Sequence, residues 1–160
     1  MSWCWRPSAL LPAALLFAAP ALAQGEGGGV RETQVWGMAA WSRPAFYGAG
    51  LGLGWRDAQR DRIAPAVAFG TFGDGRFGAR ADLAYQFLLD PAKQTGSAVY
   101  GGGGISAVVR RGRVTPYVLL VLGIEHAPGG RGGTFLELGV GGGARLAIGY
   151  RWRKQSAPGR

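Results

Sequence analysis

Residues 134–153 read TFLELGVGGGARLAIGYRWR, and the second half of that stretch decides the fold. Ala144, Leu146, Ile148, Tyr150 and Trp152 alternate with Arg145, Ala147, Gly149, Arg151 and Arg153. A period of two describes a strand with one apolar and one polar face. On a water-soluble sheet the apolar face packs on a core and the arginines are solvated. On a membrane-embedded barrel the apolar face meets lipid and the arginines enter a polar lumen.

The same alternation recurs upstream. Residues 76–88 put Phe77, Ala79, Ala81, Leu83, Tyr85 and Phe87 on one face and Arg76, Gly78, Arg80, Asp82, Ala84 and Gln86 on the other. Residues 45–55 alternate Tyr47, Ala49, Leu51, Leu53 and Trp55 with Gly48, Gly50, Gly52 and Gly54. Exposed glycine costs strand stability, whereas inward glycine in a narrow barrel makes room for side chains from opposite strands. Further strands are expected over residues 63–72, 97–110, 114–126 and 134–140, with a less regular first one over 33–41. Pro65 places its end of the third strand at an edge or rim. Turns fall at Ser42-Arg43-Pro44, at a charged segment 57–62, at Gly73-Asp74-Gly75, over 90–96, at Arg111-Gly112 and over 127–133. The count is eight strands, or seven if Gly141-Gly142-Gly143 is a bend within one strand. It falls to six or seven if the first strand is false. No helical period follows the N-terminal segment.

That segment, residues 1–23, has the form of a secretory signal peptide: Arg6, an apolar run over 9–22, and Ala21-Leu22-Ala23 as a small-x-small cleavage site. Cleavage removes Cys4, the one cysteine, so the mature chain relies on packing or on a membrane instead of disulfides. Residues 24–32 form a flexible leader, 33–153 the barrel domain and 154–160 a polar tail. No run after Gln24 is long and apolar enough for a transmembrane helix.

The chain has 18 basic and 9 acidic residues, and all the basic ones except Lys93 and Lys154 are arginine. A strongly basic chain invites a nucleic-acid partner. Export and the dispersal of the arginines among strands and turns argue against one. Anionic lipid headgroups and lipopolysaccharide phosphates are the expected counter-charges.

A signal peptide, about eight amphipathic strands of roughly ten residues, and aromatic strand ends together resemble small outer-membrane β-barrel proteins of the OmpA/OmpX-like type. The resemblance implies an all-β, antiparallel up-and-down transmembrane barrel in the outer membrane of a Gram-negative envelope. It also implies a monomer whose partners are the lipid bilayer, lipopolysaccharide and the outer-membrane assembly machinery. Such barrels carry a C-terminal assembly signal, a polar residue and a glycine two later, followed by two hydrophobic residues at alternate positions. Arg145, Ala147, Tyr150 and Trp152 stand in those places, with Ala147 where the family prefers glycine and with residues 153–160 beyond the last aromatic. In this family the connections facing outside are usually the long ones; here they are the short ones.

Arg80, Asp82, Glu137, Arg145 and Arg151, with Gln86 and Glu125, are the polar residues in phase on inward faces. They are candidates for a lumen ion network, either lining a gated pore or plugging the barrel. An eight-stranded barrel has an interior just filled by side chains, which favours the plug. On the plug reading Arg80 holds Asp82 or Glu137. Lipid A deacylases of the PagL kind place a serine close to histidine on one strand. Here His126, the one histidine, is followed by Ala127, Pro128 and Gly129, so no catalytic residue and no enzyme is expected. One histidine and no mature cysteine give no metal or cofactor site, and the glycine runs lack the Lys-Ser/Thr of a phosphate loop. Trp36, Trp41, Trp55, Tyr47, Tyr85, Tyr100, Tyr117, Tyr150 and Trp152 are candidates for aromatic girdles. The competing reading is a soluble periplasmic or secreted β-barrel that binds an apolar ligand inside.

Overall fold

The structure, a computed structural model, describes residues 29–57 and 60–155. The expected signal peptide lies outside them. Eight strands follow one another: β1 (Val30–Trp41), β2 (Phe46–Asp57), β3 (Asp61–Phe72), β4 (Phe77–Leu88), β5 (Ser97–Arg110), β6 (Arg113–His126), β7 (Gly132–Val140) and β8 (Ala144–Gln155). Each pairs antiparallel with the next, and β8 returns to pair with β1, so the sheet closes without an edge. Gly141-Gly142-Gly143 is the turn between β7 and β8, with positive φ at Gly142 and Gly143, so the count is eight.

Two expected boundaries move. β1 begins at Val30, inside the segment read as a flexible leader, and β8 continues to Gln155, past the barrel limit set at residue 153. The reason at the first of these is Glu32, which is buried and held by arginines. Part of the segment 57–62, read as a turn, is strand: Asp57 ends β2, Asp61 begins β3, and Arg62 lies in β3 with its side chain in the interior. Pro65 is not at a rim. It sits in the body of β3, opposite Leu83 of β4. The β2–β3 ladder runs to Gly52↔Ala66 and resumes at Trp55↔Ile63. The interruption is on the side of Pro65, whose nitrogen has no hydrogen to donate.

The wall is polarised in the opposite sense from a water-soluble barrel. Outward positions carry Leu51, Phe69, Ile105, Val118, Leu120 and Ile148, all more than half exposed. Inward positions carry charges, glycines and three apolar clusters, the largest made of Trp36, Met38, Ala40, Phe46, Ala68, Phe72, Phe135 and Ala147. β1 looked irregular because its inward face changes chemistry along its length, Glu32 and Gln34 giving way to Trp36, Met38 and Ala40. Its burial alternates without a break. Trp36 and Tyr100, read as girdle residues, point inward and are buried. Trp41, Tyr47, Tyr85, Tyr150 and Trp152 point outward, while Tyr117 is exposed near the far rim but in phase with the inward Leu119 and opposite the inward Ser106. Twelve residues at about 3.3 Å, tilted by about 40°, give a wall about 30 Å high, the thickness of a bilayer's hydrocarbon layer.

The inward glycines of β2 are cut to fit β1. A Cβ on Gly50 would lie 2.6 Å from the Trp36 ring and 2.8 Å from the Val67 carbonyl oxygen, and one on Gly52 would meet the Gln34 side chain at 2.6 Å. Gly37, on the outward face, has nothing within 4 Å of the same position. Gly50→Ala should therefore destabilise the barrel by about 1–3 kcal/mol through overpacking. Gly37→Ala should stay within about 0.5 kcal/mol of the parent. Urea unfolding in detergent micelles checks the pair, and equal effects at both positions would contradict this account of the β1–β2 fit.

Candidate functional site

Chemistry-bearing side chains converge chiefly in the interior. Two ionic groups share it. The first lies toward the end that bears the termini and is centred on Glu125 of β6, which has no exposed surface. Arg56 of β2 donates from Nη2 to Glu125 Oε1 at 2.8 Å, and Arg62 of β3 from Nη2 to Oε2 at 2.8 Å. Arg151 of β8 donates to Oε2 as well, and Arg153 Nη2 stands 3.3 Å from it. Glu32 of β1 faces the same cations: Arg62 Nε at 2.7 Å, Arg56 Nη2 at 3.0 Å and Arg153 Nε at 3.1 Å. Arg151 also donates from Nε to Gln34 Oε1 at 2.9 Å, and its guanidinium lies 4.4 Å from the Phe135 ring centroid.

The second group sits deeper. Arg145 of β8 donates from Nη1 to Asp82 Oδ2 at 2.5 Å and from Nη2 to Glu137 Oε1. Glu137 Oε2 accepts from Gln86 Nε2 at 3.1 Å and from the Tyr100 hydroxyl at 3.2 Å. Gln86 in turn accepts from Arg62 at 2.9 Å, which joins the two groups. Arg80 does not hold Asp82 or Glu137 as expected. It donates from Nη2 to Ser106 Oγ at 3.0 Å and to the Gly141 carbonyl at 2.6 Å, because Arg145 already occupies both carboxylates.

Of the predicted network, Asp82, Glu137 and Arg145 thus meet directly, Arg151 belongs to the Glu125 group and Arg80 stands apart. Arg153, read on the polar face of the last strand, was left out of that network, and Glu32, Arg56 and Arg62 were missed. The only trace of them in the sequence is phase: each is two residues from an inward neighbour in its own strand, but each lies close to a strand end, where charge reads as turn.

Near the strand ends, backbone carbonyls complete the coordination. Arg56 Nη1 donates to the Pro128 carbonyl at 3.3 Å, and Arg153 Nη1 to the Ala127 carbonyl at 2.9 Å. The β6–β7 connection is therefore drawn over the mouth of the barrel by the same arginines that bind Glu125. Inside, the space remaining among Gln34, Trp36, Asp82, Glu137 and Arg145 is a cavity of about 20 Å³, room for about one water.

Elsewhere the candidates do not assemble. His126 is exposed at the end of β6 opposite Ser97 of β5, and among the described residues no hydrogen bond joins the two side chains. No group of three metal-ligating side chains occurs among the described residues. Of the four residues read as an assembly signal, Arg145 and Ala147 face inward, while Tyr150 and Trp152 face outward with ring centroids 4.9 Å apart. At the far rim Asp74, in the β3–β4 connection, accepts from Arg110 Nη2 at 2.6 Å. That hydrogen bond holds its carboxyl below the usual carboxylate range.

Breaking a buried ion pair by removing one partner costs about 3–5 kcal/mol. Arg145→Leu should approach that figure, since it leaves Asp82 and Glu137 without their cation. Arg80→Leu should cost about 1–3 kcal/mol, the scale of unsatisfied neutral partners. A larger loss for Arg80→Leu in urea unfolding would contradict this network. For Asp74, a depressed folded-state value means that its stabilisation is present above the unfolded carboxylate value and is lost as pH falls through the folded one. An NMR titration of the Asp74 carboxyl should show a midpoint below that of free aspartate, and Arg110→Gln should move it back up.

No protein-family model and no curated protein matches the chain. Among solved structures, it is similar to the N-terminal β-barrel domain of Pseudomonas aeruginosa OprF, with a TM-score of 0.60 and 12% sequence identity over 80% of this chain and 98% of that one. It is similar also to Neisserial surface protein A (NspA), with a TM-score of 0.52 and 12% identity over 79% of this chain and 97% of that one. The chain thus has the fold of the small eight-stranded barrels that its alternation of residues resembles.

Proposed function

We propose that this protein is a small, monomeric outer-membrane barrel with a closed lumen, whose role is structural or one of interaction at the membrane, without catalysis. The observation that carries this reading is the inverted wall. Charged side chains fill the inside, and among the described residues large apolar side chains such as Leu51, Phe69, Ile105, Val118, Leu120 and Ile148 stand exposed all round the outside. In water such a surface far exceeds the apolar patches that soluble proteins tolerate, whereas in a bilayer it is the required solvent contact. The signal-peptide pattern of residues 1–23 and the fold of the OprF domain and NspA support the same location. The outward pair Tyr150 and Trp152 on the last strand supports a reading of β8 by the outer-membrane assembly machinery.

The filling of the lumen supports its closure. Six arginines (Arg56, Arg62, Arg80, Arg145, Arg151, Arg153) and four carboxylates (Glu32, Asp82, Glu125, Glu137) are tied across it. The apolar cluster around Trp36 and Phe46 closes the end far from the termini. An eight-stranded barrel has no spare cross-section around such a plug.

Membrane fractionation with electrophoresis of heated and unheated samples tests the location. Recovery with the outer membrane and a heat-dependent band shift are expected. A soluble periplasmic band without a shift would overturn the reading in favour of the soluble ligand-binding barrel. Planar-bilayer recording tests closure, with no steady conductance expected. A stable open channel would show that the arginine groups gate the lumen instead of plugging it.

A further inference from the structure

The end of the barrel opposite the termini carries an imbalance of charge that the interior network does not use. Its four connections are short: residues 42–45, 73–76, 111–112 and 141–143. Two of them gather Arg76, Arg110 and Arg111 around a single carboxylate, Asp74, with Arg113 opposite Arg110 across the ladder. Arg110 Nη2 is 2.6 Å from Asp74 Oδ2, Arg111 Nη2 3.6 Å and Arg76 Nε 3.8 Å. Among the described residues Arg113 forms no ion pair. Four guanidiniums against one carboxylate leave three positive charges on one side of this rim.

Three observations show that this is more than a solvated edge. Arg110 is fixed in place, its guanidinium 5.2 Å from the Phe72 ring centroid while it donates to Asp74, so part of the patch is organised in advance. Arg111 occupies the first position of a two-residue turn with φ of 53°, followed by Gly112 at 72°. Such a turn favours Asn-Gly or Asp-Gly, so the arginine stands where a smaller residue would fit the backbone better. Directly beside the patch the outer wall is apolar and highly exposed: Phe77 follows Arg76, Val114 follows Arg113, and Val118 and Ile105 continue along β6 and β5.

A cationic rim above an apolar wall matches a molecule with phosphates at the membrane surface and acyl chains in the hydrocarbon layer. We infer that Arg76, Arg110, Arg111 and Arg113 form a docking site for the phosphates of a membrane lipid, of the lipopolysaccharide type, in the leaflet at this end of the barrel. The guanidinium fork suits phosphate oxygens, and the short connections leave no loop in the way. The inference rests on the membrane reading proposed above.

The test is titration of the full mature chain, refolded in detergent, with bis-phosphorylated lipid A, with its phosphate-free counterpart and with inorganic phosphate, read by native mass spectrometry. Heat-dependent electrophoretic shift of the same sample reports whether the barrel has formed. Preferential retention of the phosphorylated lipid is expected. Each arginine near an anionic surface is worth about fivefold in affinity. Arg111→Asn should lose about that factor while unfolding at the same or a higher urea concentration, since Asn suits the turn. The triple variant R76N/R111N/R113N should fall to the level of the phosphate-free lipid, and Lys93→Asn at the other end should bind as the parent does. Equal retention of both lipids by a formed barrel, or undiminished binding by a formed triple variant, would overturn this inference alone. Inorganic phosphate competing as well as the lipid would overturn the lipid as the occupant. Failure to form a barrel in detergent would overturn the membrane reading and the docking site with it.

Discussion

The structure depends on the burial of Glu125 among four arginines. A carboxylate without exposed surface is tolerable only if its lost hydration is replaced, and a ring of guanidiniums is the densest replacement that side chains supply. The groups that do so come from β2, β3 and β8, and those cations are shared with Glu32 of β1. Five of the eight strands therefore meet at one electrostatic centre. Because side chains alternate with a period of two, a slip of one residue in any of these strands would turn its charge outward against the apolar environment of the wall. The ion network adds little net stability over a well-packed apolar core of equal volume. Its effect lies in discrimination: it makes a slip of one residue far worse than the right register.

Volume is the complementary constraint. A lumen that contains Trp36, Phe46, Phe72, Phe135, Tyr100 and six arginines is overfilled unless other inward positions are empty of side chain. The glycines of β2 supply that space, with Trp36 over Gly50 and Gln34 over Gly52. Tyr100 likewise lies over Gly123. The high glycine content is therefore the counterpart of the large inward residues, and the two have to be read as pairs across the ladder.

This explains which parts of the fold were legible in the sequence. β4 and β8 show their phase because the outward residues are large and apolar and the inward ones charged or small. β1 hides its phase because Trp36 and Met38 face inward beside Glu32 and Gln34, and neither hydropathy nor aromatic content separates its two faces. Glu32, Arg56 and Arg62 were hidden for a different reason. They stand near strand ends, where charge and solvated turn look alike in one dimension, and only closure of the sheet shows that those ends meet inside. Arg80 was correctly phased but wrongly partnered, since phase specifies the face and says nothing of which cation reaches Asp82 and Glu137 first. Pairing is a property of the closed cross-section and has no sequence signal.

A barrel filled in this way has its chemistry in the wall and the rims. Within the lumen the deeper group is balanced, Arg80 and Arg145 against Asp82 and Glu137, while the group around Glu125 carries four arginines against two carboxylates. The carbonyls of Ala127 and Pro128 take up part of that excess, which ties the β6–β7 connection to the mouth. At the far rim the arginines around Asp74 are exposed or half-buried, and among the described residues none of them donates to a backbone carbonyl. The same residue type thus serves two physical ends. Where guanidiniums are enclosed they are matched by the protein's own carboxylates and carbonyls, and where they are open to the surroundings their charge is left unmatched by the chain itself.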